Sequence, residues 1–545
     1  MRTSTAAAVG LLMASLTACG GSDDNDNNSP ATPVAPVVVG DTVLLTASNK
    51  LMSFNRAAPA AVVGSVNLRG LGSNETLLGI DYRPANGQLY AVSSAARIYT
   101  IDAGTGLLTE VSTLKAASGD PRPFTTLNGT DFGVDFNPAA DRLRVVSNTG
   151  QNLRINVDTG EATTDGNITP PAGSNASITA VAYTNSFAGT TSTALYDIDT
   201  TSGLLHLQDP PNAGGLAAGV PLGVRATAVN GFDVDARNNT GYAVLTVGGS
   251  TGFYKIDLAA TASTNAATLI GSAGNEAVRG LALAPVAAPT AIGLSTDNRL
   301  VGFEPKAPNT LTSNVAITGL QPGESVLGID VRLANGKLYA LTNAARIYTV
   351  DPATGAATLS SNLSADAGDA TLPYAGLSGG VYSVDFNPAA DRLRVLSDAG
   401  QNLRINVETG ATTTDGVVNR TPAATVLGAA YSNAFAGTTT TTLYDLEGRS
   451  NVLARQVPPN DGTLIDLGPL GVTLGASATA FDIGGGGNGL VLLALPASGA
   501  AGPYSLYTVS LATGAVSLYR NTGDAALSRI GGANGPALRD LAIRF

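Results

Sequence analysis

The chain has 545 residues, 13% of them charged, and a formal net charge of −11. That acidic balance repels phosphate backbones and argues against nucleic-acid binding. One cysteine excludes internal disulfides, and one histidine, His206, excludes a histidine metal cluster.

Residues 1–18 read as a lipoprotein signal peptide. Arg2 gives a short basic start, and Ala6 to Leu16 form an apolar run too short for a permanent transmembrane helix. The run ends in Leu16-Thr17-Ala18-Cys19, which resembles a bacterial lipobox, so Cys19 is the expected lipidation site and mature N-terminus. An ordinary signal peptide with an incidental cysteine is the alternative. Gly20, not Asp, follows the cysteine, which resembles the sorting signal for the outer membrane. Residues 19–40 hold Asp23 to Asn28 and then Pro30, Pro33 and Pro36, too polar and proline-rich to bury a core. They read as a disordered tether. The protein is therefore expected to be exported and lipid-anchored in the cell envelope, with the membrane as its partner through that lipid.

The body is one unit written twice. Val134 to Val145 recurs letter for letter from Val384 to Val395, 250 positions later, and Gln151 to Val157 recurs from Gln401 to Val407 at the same offset. The copies span 41–284 and 290–545, joined by Pro285 to Pro289. Inside the first copy, Gly79-Ile80-Asp81-Tyr82, Leu89 to Val92, Arg97 to Asp102 and Leu107 to Val111 alternate apolar and polar residues between glycine-containing turns. Period two between such turns predicts strands. Gly133-Val134-Asp135-Phe136 and Gly231-Phe232-Asp233-Val234 open similar units, and less regular ones lie around Leu44 to Val66 and Ile178 to Gln208. The spacing, roughly 45 to 50 residues per four strands, is that of a β-propeller blade. Stacking such sheets radially buries their faces and protects their edges. The expectation is an all-β chain of two tandem β-propeller-like domains, about five four-stranded blades each. Arg279 to Ala284 would complete the blade begun at Leu44. A single ten-bladed ring is the alternative, and a β-sandwich or solenoid a more distant one.

The Asp135-to-Val145 run, the Gln151-to-Asn156 run and Thr442-Leu443-Tyr444-Asp445 resemble the bacterial family called domain of unknown function 4394, over nearly all of both copies. The resemblance implies secreted or surface-attached proteins of propeller-like sequence, and no established activity or catalytic residue. Thr193 to Asp197 departs slightly from the usual run of threonines.

Absences constrain the chemistry. The counterpart of His206 in the second copy is Ala454, so a Ser-His-Asp triad cannot exist in both copies. The thiol of Cys19 is reserved for lipid. Gly484 to Gly487 lacks the Lys-Ser/Thr of a phosphate-binding loop and reads as a flexible loop. No catalytic residue is assigned. Carboxylates remain: Asp81, Asp135 and Asp233 each follow a Gly-apolar pair and are repeated as Asp330, Asp385 and Asp482, where the residue two before the Asp is Gly328, Ser383 and Ala480. On innermost strands they would face a central channel and offer Ca²⁺, a hard cation, its oxygen ligands. The structural alternative is that each accepts hydrogen bonds from turn backbone and fixes a blade corner. Arg142, Arg144 and Arg154, with Arg392, Arg394 and Arg404, form the other notable group. Arginine forks match carboxylates, so these are candidates for an anion site; the alternative is a buried ion network with Asp135 and Asp141.

The leading expectation is a non-enzymatic binding or scaffold module presenting loops to a glycan, peptide or envelope protein. The rival is a Ca²⁺-dependent hydrolase of the propeller lactonase or phosphotriesterase kind, using Asp81, Asp135, Asn137 and Asp233.

Overall fold

The computed structural model of the chain describes residues 35–475, 479–496, 503–519 and 524–545. Cys19 and the signal peptide lie outside the described residues, as does the tether up to residue 34. The packed body begins at Val37, which donates its N–H to Gly104 O at 2.9 Å and packs with Val39 against the first core.

Among the described residues the alternating segments form ten antiparallel sheets, eight of four strands and two of five; in the latter a short parallel strand adds to the outer edge. In each copy the first sheet is completed by the last strand of that copy. Val278–Leu283 pairs with Thr42–Thr46, setting Leu44 opposite Leu281, and Leu538–Arg544 pairs with Thr290–Ser295, setting Ala291 opposite Ile543. This hydrogen-bonded closure ties the two ends of each copy together.

The cores show how the sheets are arranged, because each lies between two neighbouring sheets. In the first copy Leu45 shares a core with Ile80, Tyr90 with Phe136, Val146 with Tyr183, and Ala182 with Phe232. Phe54 of the first sheet meets Phe253 of the fifth edge-on at 5.1 Å, which closes the circle. The second copy repeats this with five cores, one of which also takes in Phe187 and Ala236 of the first copy. Each fully buried Leu, Ile, Val or Phe contributes about 1.5–3 kcal/mol, so the junctions dominate stability. The chain is thus two closed five-bladed propellers, and the ten-bladed ring is excluded.

The Gly-apolar-Asp motif has a geometric cause. Residues two apart in a strand face the same way, so the Gly and the Asp both point to the ring axis. Five blades crowd their inner strands there. A Cβ on Gly133 would lie 2.6 Å from Val181 N, and one on Gly79 2.5 Å from Val134 Cγ2. In the second ring the place of Gly133 is taken by Ser383, whose hydroxyl accepts from Ala429 N at 2.6 Å on the neighbouring inner strand, so the glycines mark the tightest approaches of the first ring.

The two rings touch through loops of the fourth and fifth blades. Phe187 packs edge-on against Phe545 at 5.2 Å, Asn239 Nδ2 donates to Gly486 O at 2.7 Å, and Thr190 Oγ1 donates to Gly489 O at 3.1 Å. The Tyr519 hydroxyl donates to Gly189 O. Residues Gly486–Asn488 form a short 3-10 turn whose first residue is buried and donates to Arg237 O. The expectation of a flexible glycine loop is therefore corrected: the glycines let backbone press on backbone where the rings meet.

Candidate functional site

The inner strands bring the predicted carboxylates together. Asp81, Asp135 and Asp233 each place one oxygen within 4.8 Å of the others, and Asp330, Asp385 and Asp482 do the same in the second ring. All six are buried. Each accepts an N–H from the inner strand of the next blade. Asp81 Oδ2 accepts from Phe136 at 2.7 Å, Asp135 Oδ1 from Tyr183 at 3.0 Å, and Asp233 Oδ2 from Leu283 at 2.7 Å. Phe386, Tyr431 and Ile543 donate to the equivalents in ring two. The donor is strand backbone of the neighbouring blade, not turn backbone as the structural alternative had it. The second ring adds Asp540, which accepts from Ile329 at 2.9 Å and occupies the position of Gly280.

Three carboxylates this close, away from water, cannot all ionise cheaply. Burial first, then Asp233, pushes the Asp81 carboxyl well above the ordinary range; burial, then Asp81 and Asp233, does the same to Asp135. Burial raises Asp233 and Asp482 to about 7. A Ca²⁺ ion takes about six to eight oxygens. Here the oxygens of Asp81 and Asp233 also accept their own following N–H, from Tyr82 at 2.7 Å and Val234 at 2.6 Å. The space against Asp81 and Asp233 is about 20 Å³, which accommodates about one water. That arrangement clamps neighbouring blades, and the space against Asp81 and Asp233 is smaller than a lactone or phosphoester.

The arginines are placed differently from either expectation. Arg144 is fully buried between the third and fourth blades. It donates to Tyr183 Oη (3.1 Å), Asn152 Oδ1 (2.8 Å), Asp165 Oδ2 (2.6 Å) and Asn212 Oδ1 (2.8 Å). Arg394 repeats the set with Tyr431, Asn402, Asp415 and Asn460. Arg154 and Arg404 fork onto the same Asp165 and Asp415. Arg142 and Arg392 reach only the backbone carbonyls of Asp141 and Asp391. The network therefore uses Asp165 and Asp415, not Asp135, and Asp141 pairs instead with Arg83 of the preceding blade. The repeated Thr-Thr-Asp-Gly at 163–166 and 413–416, and Pro-Pro-Asn at 210–212 and 458–460, were the available signals for these partners.

Sequence reasoning also passed over Asp197 and Asp445. Both are buried, with no hydrogen-bond partner for either oxygen among the described residues, and burial raises Asp445 to about 8. His206 lies opposite Asp197 and Ala454 opposite Asp445, the equivalence read from the repeat. His206 is buried, with Nδ1 2.9 Å from Ala217 O and Nε2 4.0 Å from Asp199 Oδ2.

Duplication creates a further feature. A cleft of about 580 Å³ lies where the rings meet, within the size range of small-ligand sites. Its first-ring wall carries Tyr196, Asn238, Thr240 and Lys255, and its second-ring wall Phe435 and Thr440.

The chain matches the family described as Domain of unknown function (DUF4394) over residues 50–282 and again over 299–530. No curated protein matches it. A solved structure titled "Structure of Dos1 propeller" is similar at 13% identity, covering 66% of this chain and 89% of that one, with a TM-score of 0.26. At that score the likeness adds nothing to the strand pairing, on which the fold assignment rests. Both copies thus fall within one family, and the chain belongs to the DUF4394 family as a tandem pair.

Proposed function

We propose that the chain is a non-catalytic binding module of the cell envelope, held by a lipid on Cys19, whose ligand occupies the cleft between the rings. The cleft carries this reading: it offers a ligand-sized volume lined by both copies. The space against Asp81 and Asp233 of the first triad is far smaller, and the arginine networks are satisfied internally. Two rigid rings hold the cleft walls at fixed separation, which lowers the ordering cost of binding. The rival hydrolase needs a substrate beside the triads, where only about 20 Å³ is free.

Two measurements test this. Hydrogen exchange on residues 37–545, alone and with glycan, lipid and peptide fractions of the envelope, is expected to slow at 184–196 and 433–440. Protection confined elsewhere, or turnover of a lactone or phosphotriester that Asp135→Asn abolishes, would overturn the reading. Cys19→Ala is expected to move the full chain from the membrane fraction to the soluble one; unchanged fractionation would remove the tether.

A further inference from the structure

We infer that the cleft takes a short neutral oligosaccharide. This deepens the binding reading and rests on it.

Charge comes first. Lys255 and Asp257 are the charged residues of the lining, both exposed and of opposite sign. A phosphate or polycarboxylate would meet one cation offset by one anion, and a bare cation would meet one carboxylate. Neither class gains net attraction. The rest of the polar lining is amide and hydroxyl, which both donate and accept.

Free valence comes second. Many polar groups of the lining are spent on the rings. Asn239 Nδ2 bridges Asn185 and Gly486, Thr193 Oγ1 donates to Thr184 O, and Thr438 Oγ1 donates to Thr440 O. Asn238 Oδ1 accepts from Thr240 N, but its amide nitrogen has no partner among the described residues. The hydroxyls of Thr240 and Tyr196 likewise have none there. These groups stand in the cleft wall with hydrogen bonds left to make.

Apolar surface comes third. Tyr196 from the first ring and Phe435 from the second are both half-buried, so each wall contributes one aromatic side chain. Aromatic faces are favourable platforms for apolar C–H surface, and Tyr adds a polar tip. A sugar ring is the ligand with that split: apolar C–H faces and a rim of neutral hydroxyls that donate and accept. Sandwiching the faces between Tyr196 and Phe435 leaves the rim for Asn238, Thr240 and Lys255. A peptide in the cleft would instead bury backbone N–H and C=O groups that need pairing, and the strands that carry Tyr196, Thr240 and Lys255 to the wall are interior strands of their sheets, paired on both sides, so no open strand edge is offered.

The test is calorimetric titration of residues 37–545, which contain both closed rings, with short glucans, xylans and chitin fragments. Uronic-acid oligosaccharides and unstructured peptides run alongside. Tyr196→Ala, Phe435→Ala and, outside the cleft, Lys337→Ala are compared, with melting temperatures to confirm folding. A neutral sugar is expected to bind, about tenfold or more weakly in either aromatic variant, and unchanged in Lys337→Ala. Acidic sugars or peptides binding with the same dependence on Tyr196 would overturn the neutral-sugar assignment and leave the cleft as the ligand seat. Binding indifferent to Tyr196 and Phe435, or no binding by any probe, would overturn both.

Discussion

Phe187 and Phe435 are the same residue of the repeat in two different environments. Phe187 is buried at the junction of the rings, edge-on to Phe545 at 5.2 Å, while Phe435 is half-buried in the cleft wall. One copy's loop became an interface and the other's was left facing open space. Phe187→Ala is expected to cost about 3–5 kcal/mol, the usual loss for a buried phenylalanine. It should loosen the rings from each other, seen as a second transition in calorimetric melting. Phe435→Ala should leave the melt nearly unchanged and act on binding alone. Equal destabilisation by both would show that the two positions share one structural role.

Arg144 and Arg394 predict a matched pair of stability losses. Removing either guanidinium leaves the buried Asp165 or Asp415 with Arg154 or Arg404 alone and strips the buried Asn152 or Asn402 carbonyl oxygen of its donor, and a buried polar group left unsatisfied costs about 1–3 kcal/mol. Arg144→Ala and Arg394→Ala should each lower the unfolding midpoint in denaturant by a comparable amount. Arg142→Ala, whose group reaches only a backbone carbonyl, should stay within about 0.5 kcal/mol of the native chain.

The carboxylate triads predict a pH dependence with a definite sign. Asp233 and Asp482 titrate at about 7 in the folded chain against an ordinary 3.8. Between those values the folded state binds more protons than the unfolded one. Their contribution is therefore complete below about pH 4 and is lost as the pH rises through about 7. In a chelator, the melting temperature should fall along that path, and the double variant Asp233→Asn, Asp482→Asn should flatten it. Millimolar Ca²⁺ should leave the native profile where it was. A rise of several degrees, the effect of roughly 2.7 kcal/mol from an ion at about 100 times its Kd, would make the triads cation sites.

Gly133→Ala tests the crowding at the ring axis. The new Cβ would meet Val181 N at 2.6 Å, backbone against backbone, so neither side can yield by rotating a side chain. The variant should unfold at clearly lower denaturant. A neutral result would mean that the inner strands separate easily.

Much of this architecture was legible because it is local and repeated. Alternation between glycine turns marked the strands, and the recurrence of Gly-apolar-Asp marked which strand is innermost. Hence Asp81, Asp135 and Asp233 could be grouped although they are far apart in sequence. What each Asp bonds was not legible, because the partner is a backbone N–H of another blade, and backbone carries no sequence signal. Asp165 was missed for a related reason. Its role appears only when the second and third strands of a blade are laid side by side, with Arg144 opposite Arg154. The cleft was the least legible feature, since it arises where two copies meet and its lining comes from segments far apart in the sequence.

The most direct test of the cleft as a ligand seat uses a chain that has no tryptophan of its own. Thr440→Trp, at an exposed position of the cleft wall, places a single indole beside the ligand. Titration of residues 37–545 carrying it with short neutral oligosaccharides should give a saturable fluorescence change, and adding Tyr196→Ala should remove it. An indole that reports nothing while the same sugars bind by calorimetry would place their site elsewhere and contradict the account.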